Sequence, residues 1–216
     1  MIAVIQCAAR KQPGAGYLTN EFGDRVAFVA RPDLAPRQEG LIYARPDDPA
    51  GNGRSWRDEL VAYNESGRNP FSLLPAVELY GHDAYRRVAE KFGVDKSYIL
   101  SAGWGLISGS FLTPYYDVTF SAAAEDYKRR RKSDQYRDLN MLPAGTEEPV
   151  VFFGGKDYLP LFCDLTRNVR SARIIFYNSA QPPSATGCSL IRYETTTRTN
   201  WHYECVDAVL AERIRP

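Results

Sequence analysis

Four short apolar runs, residues 2–5, 98–101, 150–153 and 173–177, constrain this chain more than any other feature. Each is built from β-branched, aromatic or long aliphatic side chains and is nearly continuous instead of alternating. That pattern fits strands covered on both faces. Small, polar or glycine residues follow each run: Gln6-Cys7-Ala8-Ala9, Ala102-Gly103-Trp104-Gly105, Gly154-Gly155-Lys156 and Asn178-Ser179-Ala180-Gln181.

Helical patterns lie between the runs. Residues 75–92 carry apolar side chains at helical spacing and stop at Gly93, a good helix C-terminus. Residues 122–139 give a polar, strongly charged helix candidate. Residues 156–169 read as a helix with Pro160 in its first turn, and 201–214 as an amphipathic terminal helix. The alternation predicts an α/β fold: a mostly parallel, four- to five-stranded sheet flanked by helices in three layers. The 216 residues fit one domain, 1–216. Residues 12–74, rich in Gly and Pro, read as an irregular insertion covering the site, with a possible strand at 25–30 and a possible short helix at 56–63.

The charge balance is near neutral, +1 from 27 basic and 26 acidic residues, so a nucleic-acid partner needs a local patch. The four cysteines, Cys7, Cys163, Cys188 and Cys205, show no C-x-x-C spacing, which argues against zinc. Cys7 and Cys163 read as small buried residues. No cofactor and no metal are expected. The short apolar N-terminus lacks a signal-peptide pattern and no stretch matches a membrane span, so a cytoplasmic protein with no membrane partner is expected.

In open parallel sheets, ligands bind beyond the carboxyl ends of the strands. The four loops should therefore converge. The first offers Gln6, Cys7 and Lys11, with Lys11 suited to a phosphate or carboxylate. The second is the most unusual: Gly103 and Gly105 flank Trp104, and Tyr115, Tyr116 and Asp117 follow Pro114. The glycines permit close backbone approach, and Trp104 could present an aromatic face. Asp117 has two readings, an acid or base beside aromatic residues or an acceptor for backbone N–H groups in a turn. Gly155 and Lys156 suit an anion at a helix start. Asn178 suits the edge of a base. Lys128, Arg129, Arg130, Arg131 and Lys132 form the densest positive run, either a helix contacting a nucleic-acid backbone or a solvated face.

Three of these segments resemble a known family. Cys7 followed by Lys11 is similar to the Ser-Cys-x-x-x-Lys start of small bacterial and phage proteins related to the YaaA peroxide-stress proteins. Tyr98-Ile99-Leu100-Ser101-Ala102-Gly103-Trp104-Gly105-Leu106-Ile107, then Pro114-Tyr115-Tyr116-Asp117, resembles their Tyr-Ile-Leu-Ser-Ala-Lys-x-Gly-Leu-Leu and Pro-Tyr-Asp motifs. Residues 151–158 match a third, looser piece. The chain departs at Gln6, where Ser is usual, at Gly103, where Lys is usual, and by an extra Tyr before Asp117. The resemblance covers about two-thirds of the chain and skips residues 12–74. It implies DNA binding under oxidative stress, and a core shared with archaeosine synthase; the layout also looks like that of uracil-DNA glycosylases, by fold analogy. The expected function is then a nucleobase-directed enzyme, breaking an N-glycosidic bond or modifying a base in DNA or a nucleotide. Asp117 and Asn178 would be catalytic, with Gln6, Cys7, Lys11, Gly103, Trp104, Tyr115, Tyr116, Gly155 and Lys156 holding the substrate. DNA ranks ahead of RNA as partner. A non-catalytic DNA-binding stress or phage-defence protein is the alternative, and an interaction module without a nucleic-acid link is a third reading.

Overall fold

The computed structural model describes residues 1–131 and 133–216. In chain order the elements are β1 (Ile2–Gln6), β2 (Leu18–Thr19), β3 (Arg25–Phe28), β4 (Leu41–Ala44), α1 (Trp56–Glu65), β5 (Leu74–Pro75), α2 (Ala84–Phe92), β6 (Ser97–Ser101), β7 (Gly105–Ser108), β8 (Leu112–Thr113), β9 (Leu139–Asn140), β10 (Val150–Phe153), α3 (Leu159–Leu165), β11 (Arg173–Tyr177), β12 (Ser189–Arg192) and α4 (Trp201–Leu210).

The four apolar runs become adjacent strands, in the order β11-β10-β1-β6, all parallel. Their continuous hydrophobicity reflects burial on both faces: Ala3, Val4, Val150, Val151 and Phe152 are wholly enclosed. The chain passes from β1 to β6 on one side and returns to β10 on the other. The gap between the ends of β1 and β10 is thus a topological switch point, where open sheets of this kind form crevices.

The sheet is larger than the expected four to five strands. It has seven and is mixed, in the order β12-β11-β10-β1-β6-β7-β9. The additions flank the four parallel strands. Parallel β12 extends one edge; β7 turns back antiparallel to β6 and carries parallel β9 on the other. Gly105 makes that turn possible. Its φ is +93°, and a Cβ there would meet the Leu139 carbonyl oxygen at 2.4 Å.

α2 packs on α4, against β1 and β6, while α4 lies against β10 and α3 against β7. Among the described residues, no helix is long and apolar enough to cross a membrane. α2 begins at Ala84, nine residues later than its pattern suggests. Leu74–Pro75 pairs instead with β8, and the Gly81 N–H donates to the Arg10 carbonyl. The helix expected over 122–139 is absent among the described residues. Turns stand in its place, with a bridge between Thr119 and Arg129 and strand β9 at its end. The stretch offers charge without an apolar stripe, so a helix would have had nothing to bury.

Residues 12–74 are ordered by two devices. A three-stranded sheet, β2-β3-β4, is one. The other is α1, started by a capping box in which Ser55 and Asp58 satisfy each other's backbone N–H groups. This segment is stitched to the motif at 114–117. The Tyr115 N–H donates to the Gly16 carbonyl (2.7 Å) and the Asp117 N–H to the Phe28 carbonyl (2.7 Å). Gly16 is required at that seam, because a Cβ would lie 2.1 Å from the Phe71 carbonyl oxygen.

Candidate functional site

The ends of β1, β6 and β10 are joined by a buried polar network. The Gly155 N–H donates to Gln6 Oε1 (2.6 Å), tying the β1 and β10 loops together across the switch point. Cys7 Sγ lies 3.2 Å from the Tyr158 hydroxyl and also helps to keep Tyr116 neutral. The Tyr116 hydroxyl also meets Tyr80 (2.6 Å) and accepts from Ser101 Oγ (2.9 Å). Tyr85 donates to the Gln6 carbonyl (2.8 Å) and meets Tyr203 (3.0 Å). Burial pushes the Tyr80, Tyr85, Tyr116 and Tyr158 phenols far above their ordinary range, so they stay neutral.

Lys11 is the cation of this network. Its Nζ lies 4.2 Å from the centroid of the Tyr116 ring. Burial lowers its pKa; Cys7 and Asp117 oppose the shift and Lys128 reinforces it. Lys11 is therefore electrostatically linked to both the thiol and the carboxylate.

The loop after β6 is held from outside. Ser101 Oγ accepts from the Gly103 and Trp104 N–H groups (3.2 and 3.1 Å). Three consecutive carbonyls face buried arginines. Arg57 donates to the Gly103 and Trp104 oxygens (both 3.0 Å), and Arg130 to the Ala102 oxygen (2.9 Å). Arg57 is fully buried and paired through two nitrogens to Asp47 (2.5 and 3.2 Å). This geometry corrects the reading of Trp104 as an exposed stacking face. Its side chain is wholly buried, edge-on to Phe28 (5.0 Å) and near Arg57. Gly103 is buried too, facing the Tyr116 ring and Val118 rather than a ligand.

Asp117 and Tyr115 open instead onto a pocket of about 320 Å³. Its other walls include Tyr17, Arg25, Gln38, Tyr43, Tyr127 and Lys128. Tyr17 stacks on Tyr115 (centroids 5.1 Å) with Arg25 over its outer face, and Tyr43 meets Tyr127 edge-on (6.2 Å). Lys128 Nζ binds Asp117 Oδ2 (2.9 Å) and Glu125 (2.7 Å). Burial works against the charged Lys128, but these carboxylates outweigh it and raise its pKa, so it remains a cation. A small volume, aromatic walls and a few placed charges are what a small-ligand site requires. Sequence reasoning missed Tyr17, Arg25, Gln38, Tyr43 and Tyr127 as site residues. Only Tyr127 lies near 114–117 in sequence; Tyr17, Arg25, Gln38 and Tyr43 precede that motif by more than 70 residues and carried no local signal.

The remaining candidates lie elsewhere. Tyr116 belongs to the buried network. Asn178 follows β11, where its Nδ2 reaches the Thr197 carbonyl at 3.4 Å, and it does not line the Asp117 pocket. Lys156 is exposed at the start of a 3-10 turn. The positive run is not a helical stripe. Arg129 pairs with Asp126 (2.9 Å), and the Arg131 N–H donates to Asp134 (2.7 Å). Arg130 is buried between Asp138 (2.6 and 2.8 Å) and the Tyr136 ring (4.0 Å). Lys132 lies outside the described residues. Among the described residues no group of three or more His, Cys, Asp or Glu side chains is arranged to hold a metal.

No protein-family model matches the chain, and neither a curated protein nor a solved structure matches it.

Proposed function

We propose that the tyrosine-walled pocket binds a nucleobase, as a nucleotide or as a nucleotide turned out of DNA, and that the protein is an enzyme acting on the base's N-glycosidic bond. The composition of the walls carries this reading: four tyrosines, two cations and one carboxylate around a space the size of a small ligand. Aromatic faces stack any base. Arg25 and Lys128 supply positive charge for a phosphate.

Asp117 is the catalytic group in this reading. As the C–N bond breaks, its electrons leave with the base and positive charge develops on the sugar. A fixed carboxylate beside the sugar stabilises that charge, and water then adds to the sugar carbon. Backbone anchoring at Phe28 and the ion pair with Lys128 hold Asp117 in place. Lys11, kept partly desolvated behind Tyr116, is the adjacent proton donor or acceptor. Kinship with the YaaA-like proteins, a three-layer arrangement and a cytoplasmic setting belong to the same reading.

Mass spectrometry of nucleosides, nucleotides and DNA after incubation with the protein tests this. Wild type should release a free base. Asp117→Asn should lower the rate by about 10²–10³-fold, the usual cost of losing one transition-state electrostatic contact, with ligand affinity largely kept. Undiminished release by the variant would remove Asp117 from the chemistry.

A further inference from the structure

A second pair of reactive groups lies far along the sheet from Cys7. Cys163 is in α3, one turn before Thr166, and Cys188 immediately precedes β12, the edge strand. Sequence reasoning took Cys163 for a buried core residue, but both thiols are only partly buried, unlike Cys7 and Cys205. Cys188 is the titratable neighbour that acts most directly on the Cys163 thiol. Arg173, at the start of β11, fixes that approach from a third side. One of its nitrogens reaches Thr166 Oγ1 (3.4 Å) and the other donates to the Thr186 and Gly187 carbonyls (both 3.1 Å). The end of α3 and the turn carrying Cys188 are thus held on one guanidinium.

We propose that Cys163 and Cys188 are a disulfide-forming pair that reversibly fastens the edge strand to α3. The oxidant class is a low-molecular-weight disulfide. The Cys188 sulfur attacks one sulfur of the reagent and gives up its proton. That S–S bond breaks, one thiol leaves with the proton given up by Cys188, and a mixed disulfide forms. The Cys163 sulfur then attacks the Cys188 sulfur. The protein S–S bond forms, the second reagent thiol leaves, and it takes the Cys163 proton. Burial, with Cys188 adding to it, pushes the Cys163 thiol up to about 11, which suits the second, intramolecular step where proximity replaces ionisation.

The cross-link closes the chain across β11 and removes freedom from the unfolded state, so it should raise stability. It is independent of the nucleobase reading, because no residue of the pair lines the Asp117 pocket.

The test equilibrates the full chain in glutathione buffers of increasing oxidised fraction, blocks free thiols, and maps peptides without reduction. The expected result is a Cys163–Cys188 linked peptide as the main product, reversed by dithiothreitol. A rise in Tm of several degrees should accompany it and vanish in Cys163→Ser and Cys188→Ala. Separate glutathione adducts on the two cysteines, or dimers linked between chains, as the main product in wild type would overturn the proposal. That readout needs no variant to fold.

Discussion

The two halves of the candidate site lie on either side of Lys11 and handle polar groups in opposite ways. Behind it, Cys7, Tyr80, Tyr85, Tyr116, Tyr158 and Ser101 are buried and satisfy one another. In front, Tyr17, Tyr43, Tyr115 and Tyr127 face open space beside Asp117 and Lys128. A closed network in a low-dielectric interior specifies geometry and is costly to interrupt. An open aromatic box contributes little to folding and keeps its contacts for a ligand. Damage to the first half should therefore appear as lost stability, and damage to the second as lost binding.

The largest stability effect should come from Arg57, which braces the loop between the halves. Arg57→Met strands Asp47 and the Gly103 and Trp104 carbonyls. It should cost about 3–5 kcal/mol in a urea melt, the usual penalty for breaking a buried charge pair. A change within error would mean that the loop carbonyls find other partners.

Next is Tyr116→Phe, which removes the hydroxyl shared by Tyr80 and Ser101. Leaving those groups unpaired should cost about 1–3 kcal/mol, with ligand affinity little altered. Loss of binding without loss of stability would reverse the contrast drawn between the two halves.

A pH-dependent effect belongs to His202, whose Nε2 is buried without a partner beside Tyr203. Burial, reinforced by His82, lowers its pKa from 6.5 to about 4. The unfolded chain then takes up the proton more readily than the folded one. Stability should be level above pH 6.5 and decline as pH falls toward 4. His202→Phe should flatten that decline in melts taken across this range; an unchanged slope would assign it to other groups.

The sequence was most informative where burial is two-sided. Runs such as VVFF have no other sensible placement, so the parallel centre was legible; at its carboxyl-end rim the loops after β1, β6 and β10 are linked, whereas Asn178 after β11 bonds toward Thr197 instead. Short edge strands were not: Leu139–Asn140 is two residues long and exists because Gly105 lets a neighbouring backbone approach. The charged stretch 122–139 misled because formal charge says nothing of partners, and Asp126 and Asp138 each pair with one of its arginines locally. Trp104 misled because flanking glycines signal tight backbone packing as readily as ligand access. The pocket itself was half legible. Tyr115 and Asp117 stood out, whereas Tyr17, Arg25 and Tyr43 come from a segment with little periodicity, whose placement depends on long-range backbone bonds to residues 115–117.

The most direct test of the account is calorimetric titration of nucleoside monophosphates against wild type, Tyr115→Ala and Arg129→Ala. Tyr115→Ala should weaken binding by about 1–3 kcal/mol, the worth of one stacked aromatic, while Arg129→Ala, on the positive run but outside the pocket, should bind as wild type does. Equal affinity in Tyr115→Ala with loss in Arg129→Ala would contradict it.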